Sequence, residues 1–524
     1  MSKPLGELIE RLRSSGLLGD FGPKRMVSFE ISGVEYDSRR VRPQSLFVAI
    51  RGDHSNGRDF LDAAQWSGAA AAIVDGWAAG SIPQIVVEDT RAALASAAAW
   101  FHGDPSLELG VIGITGTDGK TTTAYLAASV LDAAGISTGV TTTAGVKIGR
   151  EWVANPEHVT TPQAPELQAR LRDMVAAGND AVILETTSHG LALHRVDEIA
   201  YDIAIFTNLT HEHLELHGTF EAYRQAKVTL FERIGRGPGG TSAEKRVTRR
   251  WPKTAIVNVD DPSAPFFLEA SRRAGARVIT YGLTSTADIT ATDVEEDVDG
   301  LRFVARTPRW QGPVAVQLVG RFNVLNALAA IGLGEGLELG PAVIRSGLRE
   351  LAGVPGRMER IVRGQPFGVV VDYAHSPAAL EKVLDVLAPL TGPGAGLIAV
   401  FGSAGERDVQ KRPIMGRVAG ERCRLVVVTD EDPRGEDNER ILDEIAAGAE
   451  SAGRRRGVDV LCIADRPAAI AEAFTRARPG DVVLLAGKGH EQSIITATGP
   501  IPWDEKAEAI RALARLGYES GGGN

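Results

Sequence analysis

Cysteine is scarce. Cys423 and Cys462 are the only two in 524 residues, far apart and without paired C-x-x-C spacing, which excludes a disulfide framework and a zinc ribbon. Both read as ordinary buried thiols. Long apolar runs are also missing. The opening MSKPLGELIERLRSSG places charges in every turn, so it offers no signal-peptide core, and no later stretch approaches the roughly 18 apolar residues of a membrane span. These absences predict a cytoplasmic chain with no membrane partner. Positive charge is in deficit, 57 Lys and Arg against 67 Asp and Glu for a formal net charge of −10. Such a balance argues against nucleic acid as a partner, so any phosphate ligand must be held by local devices. The one basic cluster, Lys245, Arg246, Arg249 and Arg250 in GRGPGGTSAEKRVTRRWP, reads as a solvated loop. No fixed-period repeat occurs, and low complexity is confined to the tail SGGGN.

The chain is too long for one core, because single cores stop growing near roughly 250 residues. An α/β fold of three domains is predicted: a small N-terminal α/β domain over 1–104, a central phosphate-loop parallel-sheet domain over 105–352, and a Rossmann-like C-terminal domain over 353–524. In the first, LFVAI, AAAIV and QIVV alternate with Ala-rich helical stretches. In the second, LGVIGITG reads as a buried strand that runs into the helix GKTTTAYLAASVLDAAG, and AVILE, DIAIFTNL, AIVNV and RVITYG follow as strands. From about Val354 the pattern restarts with GVVVDYAH, LIAVFG, RLVVVTDEDP and DVVLLAGKG. Alternation of this kind builds a mostly parallel sheet with helices on both faces, and ligands bind beyond the carboxyl ends of its strands.

Those strand ends carry the chemistry. Gly113-Ile-Thr-Gly116-Thr117-Asp118-Gly119-Lys120-Thr121-Thr122 lies between a strand and a helix, the context of a loop that cradles phosphates. Glycines let amides approach an anion, Lys120 reaches the outer phosphates, and the Thr121 hydroxyl can ligate Mg²⁺. The spacing departs from the strict Walker template, whose first glycine would fall on Ile114. Glu185 closes AVILE, where a carboxylate can hold the magnesium that a nucleotide brings. The histidines of THEHLELH give no H-E-x-x-H frame, since the second histidine would fall on Glu215 or the glutamate on Leu214, so zinc is set aside. His213 is instead the candidate for touching Mg²⁺ or substrate. In TFEAYRQAKVTLFERI, Lys227 falls within the apolar stripe of Phe220, Tyr223, Leu230 and Phe231. Either it snorkels, or burial favours its neutral amine, which reacts with carbon dioxide to give an anionic, metal-binding carbamate.

GITGTDGKTTT, TTSHG, FTNLTHEHLELHG, GRFNVLNALAA, GVPGRMERI, VDYAHSP, FGSAGERD and AGKGHE, in this order, resemble the Mur ligase family over nearly the whole chain beyond residue 110. DSRRVRPQSLFVAIRGDHSNGRDF is similar to the uridine-nucleotide domain of the branch that adds the third residue of the stem peptide. The resemblance implies an ATP-dependent ligase, acting as a monomer, that joins a diamino acid to a UDP-linked muramoyl dipeptide through an acyl phosphate. It implies that Ser38 and His54 contact the UDP end and that Thr160, Thr161, Thr187 and Arg195 hold the sugar-peptide part. ATP would be held by Gly116 to Thr122 with Asn326, Arg357 and Asp372. Lys120, Lys227 and His213 would be catalytic, with Thr121, Glu185, His213 and carbamylated Lys227 organising Mg²⁺. Arg407, Asp432, Arg434, Gly487 and Glu491 would take the amino acid, and domain closure is expected to assemble the whole.

Where family members that add meso-diaminopimelate have D-N-P-R, this sequence has Glu431-Asp432-Pro433-Arg434. The arginine stays, but a second acidic group replaces asparagine. Asp432 and Glu491 are expected to favour an ammonium and repel a distal carboxylate, which leans toward L-lysine or L-ornithine over meso-diaminopimelate. Two other readings stand beside this one: another ligase of the family, such as folylpolyglutamate synthetase, which does not need the N-terminal segment, and a nucleotide-switched binding protein, which does not need Lys227.

Overall fold

The computed structural model describes residues 2–52, 55–155, 159–210, 214–240, 251–284, 286–297 and 300–518, with the side chains of 214, 215 and 240 left aside. It is α/β throughout, with three sheet systems that each carry their own core. The N-terminal sheet runs Leu18–Gly22, Gln84–Val87, Ala71–Val74, Ser45–Val48, Gly33–Glu35, parallel except for its first strand. Leu5, Leu8, Ile9 and Leu12 of the first helix pack on one face of it with Ala93, Leu94 and Ala97. Their i, i+3, i+4 spacing puts all four leucine and isoleucine side chains on one stripe.

The central sheet has eight strands: Glu151–Val153, Val146–Ile148, Thr138–Thr141, Ala181–Glu185, Gly110–Thr115, Ile203–Phe206, Thr254–Asn258 and Arg277–Tyr281. The last six pair in parallel and the first two form an antiparallel edge hairpin. Gly110–Thr115 is wholly buried, in keeping with the continuous apolar run that a two-sided sheet demands. The C-terminal sheet runs Glu359–Arg360, Gly368–Asp372, Val482–Ala486, Leu397–Phe401, Cys423–Val428, Val460–Cys462 and is parallel apart from its short first strand. Its two faces bury separate clusters, one around Leu384, Phe401 and Ile445, the other around Val371, Ile470 and Leu513.

The chain divides into two compact units. The first comprises 1–292, 305–312 and 325–348; the second comprises 293–304, 313–324 and 349–524. The N-terminal and central sheets therefore share one unit, and specific groups join them. Ala95 and Ala98 of helix Thr90–His102 pack on Ala164 of helix Ala164–Ala176. Arg172 caps the end of the former, giving Nε to the His102 carbonyl at 2.9 Å. Arg11 pairs with both Asp104 and Glu198. One expectation about the thiols is corrected: Cys423 is buried but Cys462 is exposed, because it closes an edge strand of the sheet.

Candidate active site

The phosphate loop emerges from a central position in the eight-stranded sheet, between the strands that end in Glu185 and Phe206. Gly116 and Gly119 adopt φ of +152° and +82°. A Cβ on Gly116 would lie 1.9 Å from Thr207 Oγ1, and one on Gly119 would lie 2.4 Å from Asn326 Oδ1. Only glycine fits either place. Asn208 fixes the loop from the next strand, its carbonyl accepting from Thr117 N at 2.8 Å and its side chain from Asp118 N at 2.9 Å. The helix Lys120–Ala133 then starts with no side-chain cap, and the amides of Gly119, Lys120 and Thr121 find no protein acceptor among the described residues. Uncapped amides with the positive end of a helix form an anion site. Lys120 folds back on the loop, donating to the Thr117 carbonyl at 2.7 Å, within reach of anything bound there. Asn326 accepts from Thr123 Oγ1 at 3.2 Å, so it stands against the loop.

Glu185 is 3% exposed. Its Oε2 accepts from Thr121 Oγ1 at 3.0 Å and from Thr143 N at 3.1 Å, while Thr143 Oγ1 and Thr160 Oγ1 are 2.7 Å apart. One carboxylate and a ring of hydroxyls beside a phosphate cradle suit Mg²⁺, which takes few protein oxygens and completes its shell from phosphate and water. Among the described residues no group of three His, Cys, Asp or Glu side chains is placed to hold a metal. His213 and His54 lie outside the described residues. Thr210 gives its N–H to Thr117 Oγ1 at 3.0 Å, so the chain starts toward that histidine segment from the edge of the loop.

Lys227 does not snorkel. It is 2% exposed, its amine donates to the Gly116 carbonyl at 2.6 Å and lies 4.7 Å from the centre of the Tyr223 ring. Tyr223 in turn bonds Thr117 Oγ1 at 3.0 Å. The helix Phe220–Glu232 thus packs its apolar stripe into the core and delivers the lysine beneath the loop.

Beside Glu185 lies a polar wall. Thr161 Oγ1 bonds the Glu185 carbonyl and the Thr187 hydroxyl, each at 3.0 Å, and Arg195 donates to the Thr161 carbonyl at 2.8 Å. The Arg195 Nε is buried without a partner among the described residues, and burial pulls its guanidinium below the ordinary range. Ser38 opens a short turn on the N-terminal sheet. Tyr36 and Arg40 on either side of it bond Glu166, at 3.2 and 2.6 Å, and burial beside that carboxylate pushes the Tyr36 phenol up to about 12.

The second unit gathers the remaining candidates at adjacent strand ends. Asp372 is buried, accepting from Met358 N and Ala374 N, each at 2.8 Å, and desolvation raises its pKa against the pull of Arg357. The guanidinium of Arg357 lies 5.0 Å from the Tyr373 ring. Asp432, Gly487 and Glu491 come together, and Arg434 adopts φ +55° with its Nε buried and unpartnered. Arg407 is exposed, on a loop anchored by Gly405 N to the Asp432 carbonyl at 2.9 Å. The sequence reading passed over Lys488. This lysine is 0% exposed, and its Nζ lies 2.8 Å from Asp432 Oδ1 and 2.6 Å from Glu491 Oε2. Asp432 Oδ1 also accepts from Ile495 N at 2.9 Å. The two carboxylates expected to await an ammonium therefore already share one inside the protein, which leaves the cluster one formal negative charge rather than two. The lysine of AGKGHE was the only signal, and nothing local marks it as buried.

Three family models match in order: "Mur ligase family, catalytic domain" over 30–102, "Mur ligase middle domain" over 114–334 and "Mur ligase, glutamate ligase domain" over 356–489. A UDP-N-acetylmuramyl-tripeptide synthetase of Roseiflexus sp. (strain RS-1) is 49% identical over 94% of this chain and 96% of its own. A UDP-N-acetylmuramoyl-L-alanyl-D-glutamate--2,6-diaminopimelate ligase of Geobacter metallireducens is 38% identical over 95% and 96%. A solved structure of a ligase of that latter name superposes with a TM-score of 0.67 at 29% identity, covering 99% of this chain and 100% of the other. The glycine loop that only glycine can build, the lysine buried beneath it and the strand-end clusters thus stand in a sequence matched from the N-terminal sheet to the AGKGHE turn, and the chain belongs to the Mur ligase family.

Proposed function

We propose that the protein is an ATP-dependent ligase that adds the third amino acid, a diamino acid, to UDP-N-acetylmuramoyl-L-alanyl-D-glutamate, acting as a monomer in the cytoplasm. The observation that carries this reading is that Glu185 joins the two halves of the site, its carboxylate bonded to Thr121 of the phosphate loop and its carbonyl to Thr161 of the wall that holds Thr187 and Arg195. On this reading the wall would take a carboxylate-bearing peptide and the loop a γ-phosphate.

The loop amides and Lys120 hold the phosphates and neutralise charge on the group in transfer. Arg195, with an unpartnered Nε, offers a donor to a substrate carboxylate. Thr160 and Ser38 line the route toward the sugar and nucleotide, with His54 carried over from the family resemblance. Attack of the terminal carboxylate on ATP gives an acyl phosphate and ADP, and the amine of the incoming residue then displaces phosphate to form the amide. Thr121 and Glu185, with His213 and Lys227 carried over from the family resemblance, would hold Mg²⁺, which would neutralise charge on the phosphates. Lys227 suits carbamylation, since a carbamylated nitrogen would keep one N–H for the Gly116 carbonyl and its new carboxylate would be an anionic ligand for the cation. By the family resemblance Asn326 of the first unit serves the nucleotide, as do Arg357 and Asp372 of the second, and Arg407, Asp432, Arg434, Gly487 and Glu491 serve the amino acid. The same assignment divides the chain near residues 104 and 352.

The test is phosphate release from ATP with the muramoyl dipeptide and a diamino acid supplied singly and together. Turnover that requires both, with a tripeptide product by mass, is expected; turnover indifferent to the dipeptide overturns the reading. For Lys227, a carbamate carbon resonance in ¹³C-bicarbonate that vanishes in Lys227→Ala is expected, together with partial rescue of that variant by short carboxylic acids.

A further inference from the structure

A fully buried lysine that bridges two carboxylates has no place in the function proposed above. Lys488 follows strand Val482–Ala486, Asp432 follows Cys423–Val428, and Glu491 lies one turn further along. The three side chains carry two negative charges and one positive. Asp432 is held further by Ile495 N, and Glu491 Oε1 by the Tyr373 hydroxyl at 3.3 Å. Beside them Glu431 is 7% exposed with Oε2 unpartnered, and Gly487 at φ +99° would bring a Cβ within 3.1 Å of that oxygen. Two nearby cations are committed elsewhere: Lys411 donates to the His375 carbonyl at 2.7 Å and Arg466 pairs with Glu505.

We propose that Lys488 is a specificity-determining positioning residue: by neutralising one of the two carboxylates it holds, it sets the net charge that the distal group of the incoming amino acid meets. The inference rests on the assignment of this pocket to the diamino acid. Its physical basis is that charges in a desolvated site are felt strongly, and that a buried amine cannot be replaced by water without leaving its partners uncompensated. Wild type carries one net negative charge on the triad. Asp432→Asn brings it to zero, and Lys488→Met added to Asp432→Asn returns it to one negative, with fewer buried charges than wild type.

The experiment compares kcat/KM for meso-diaminopimelate and L-lysine in wild type, Asp432→Asn and the double variant. Asp432→Asn is expected to move the ratio toward meso-diaminopimelate by at least about tenfold, and Lys488→Met in that background to reverse the move. Glu491→Gln, with and without Lys488→Met, forms an independent pair that must behave alike. A purely structural lysine would lower both substrates together and leave the ratio where Asp432→Asn put it. That result, or a ratio indifferent to Asp432→Asn, overturns the proposal. A wild type that ligates neither amino acid refutes instead the assignment of function.

Discussion

Gly119 shows how a single missing carbon positions chemistry. With φ at +82° and Asn326 Oδ1 only 2.4 Å from where a Cβ would sit, Gly119→Ala forces a left-handed alanine against a polar side chain, at a cost on the order of 1–2 kcal/mol for the backbone alone. Gly119→Ala should unfold at lower temperature and show a raised KM for ATP, as calorimetry and steady-state kinetics would report; an unchanged KM would mean that the loop amides do not meet the nucleotide. Lys120→Ala should leave the fold intact, because among the described residues the side chain's hydrogen bond is to the Thr117 carbonyl of its own loop. Its phosphate release should fall by at least about a hundredfold, the scale for loss of a group that neutralises transition-state charge. A Lys120→Ala enzyme of near-normal rate would remove the loop from the mechanism.

At the scale of elements, the C-terminal strand ends are tied by Arg466. Its guanidinium is 1% exposed and reaches Glu505 Oε1 at 2.7 Å, the Asp430 carbonyl at 2.9 Å and the Ala486 carbonyl at 2.8 Å. Arg466→Met would strand a buried Glu505 and two carbonyls, which costs about 3–5 kcal/mol; urea unfolding should show it, and Glu505→Gln in the same background should recover part. A second element-level device is the turn that carries Arg195. His194, at φ +60°, bonds Asp197 at 2.6 Å and faces Asp89 at 3.4 Å, and the hydrogen bond to Asp197 raises its pKa above the ordinary 6.5. A raised value in the folded state means that the contribution to stability is full below the unfolded pKa and is lost as pH rises through the folded one. Since the ring is about a third exposed, the effect is modest. The difference in unfolding midpoint between wild type and His194→Gln should shrink between mildly acidic and mildly alkaline pH; a difference that grows would reverse the sign of this argument.

Across the whole molecule, the N-terminal sheet and the central sheet belong to one compact unit, joined by Arg11 with Asp104 and Glu198 and by the alanine contact of two helices. A fragment of 1–104 keeps Asp104 but loses Glu198 from Arg11 and the cover that Ala164 gives Ala95 and Ala98, and should melt below the full chain when both are followed by circular dichroism. The strands, the phosphate loop, Glu185 at its strand end and the oddity of Lys227 were legible in the sequence, because each depends on residue type and spacing over a few positions: a buried strand must be apolar, a tight anion loop must be glycine, and a lysine on an apolar helical face announces itself. The clamp of Lys488 on Asp432 and Glu491, the Thr143 and Thr160 contact beside Glu185, and the support of the Gly116 carbonyl by Lys227 were decided only by the tertiary structure. Strand Val482–Ala486 inserts between Gly368–Asp372 and Leu397–Phe401, so residues distant in sequence become ion-pair partners through sheet order, and no local pattern of polarity encodes which strands become neighbours.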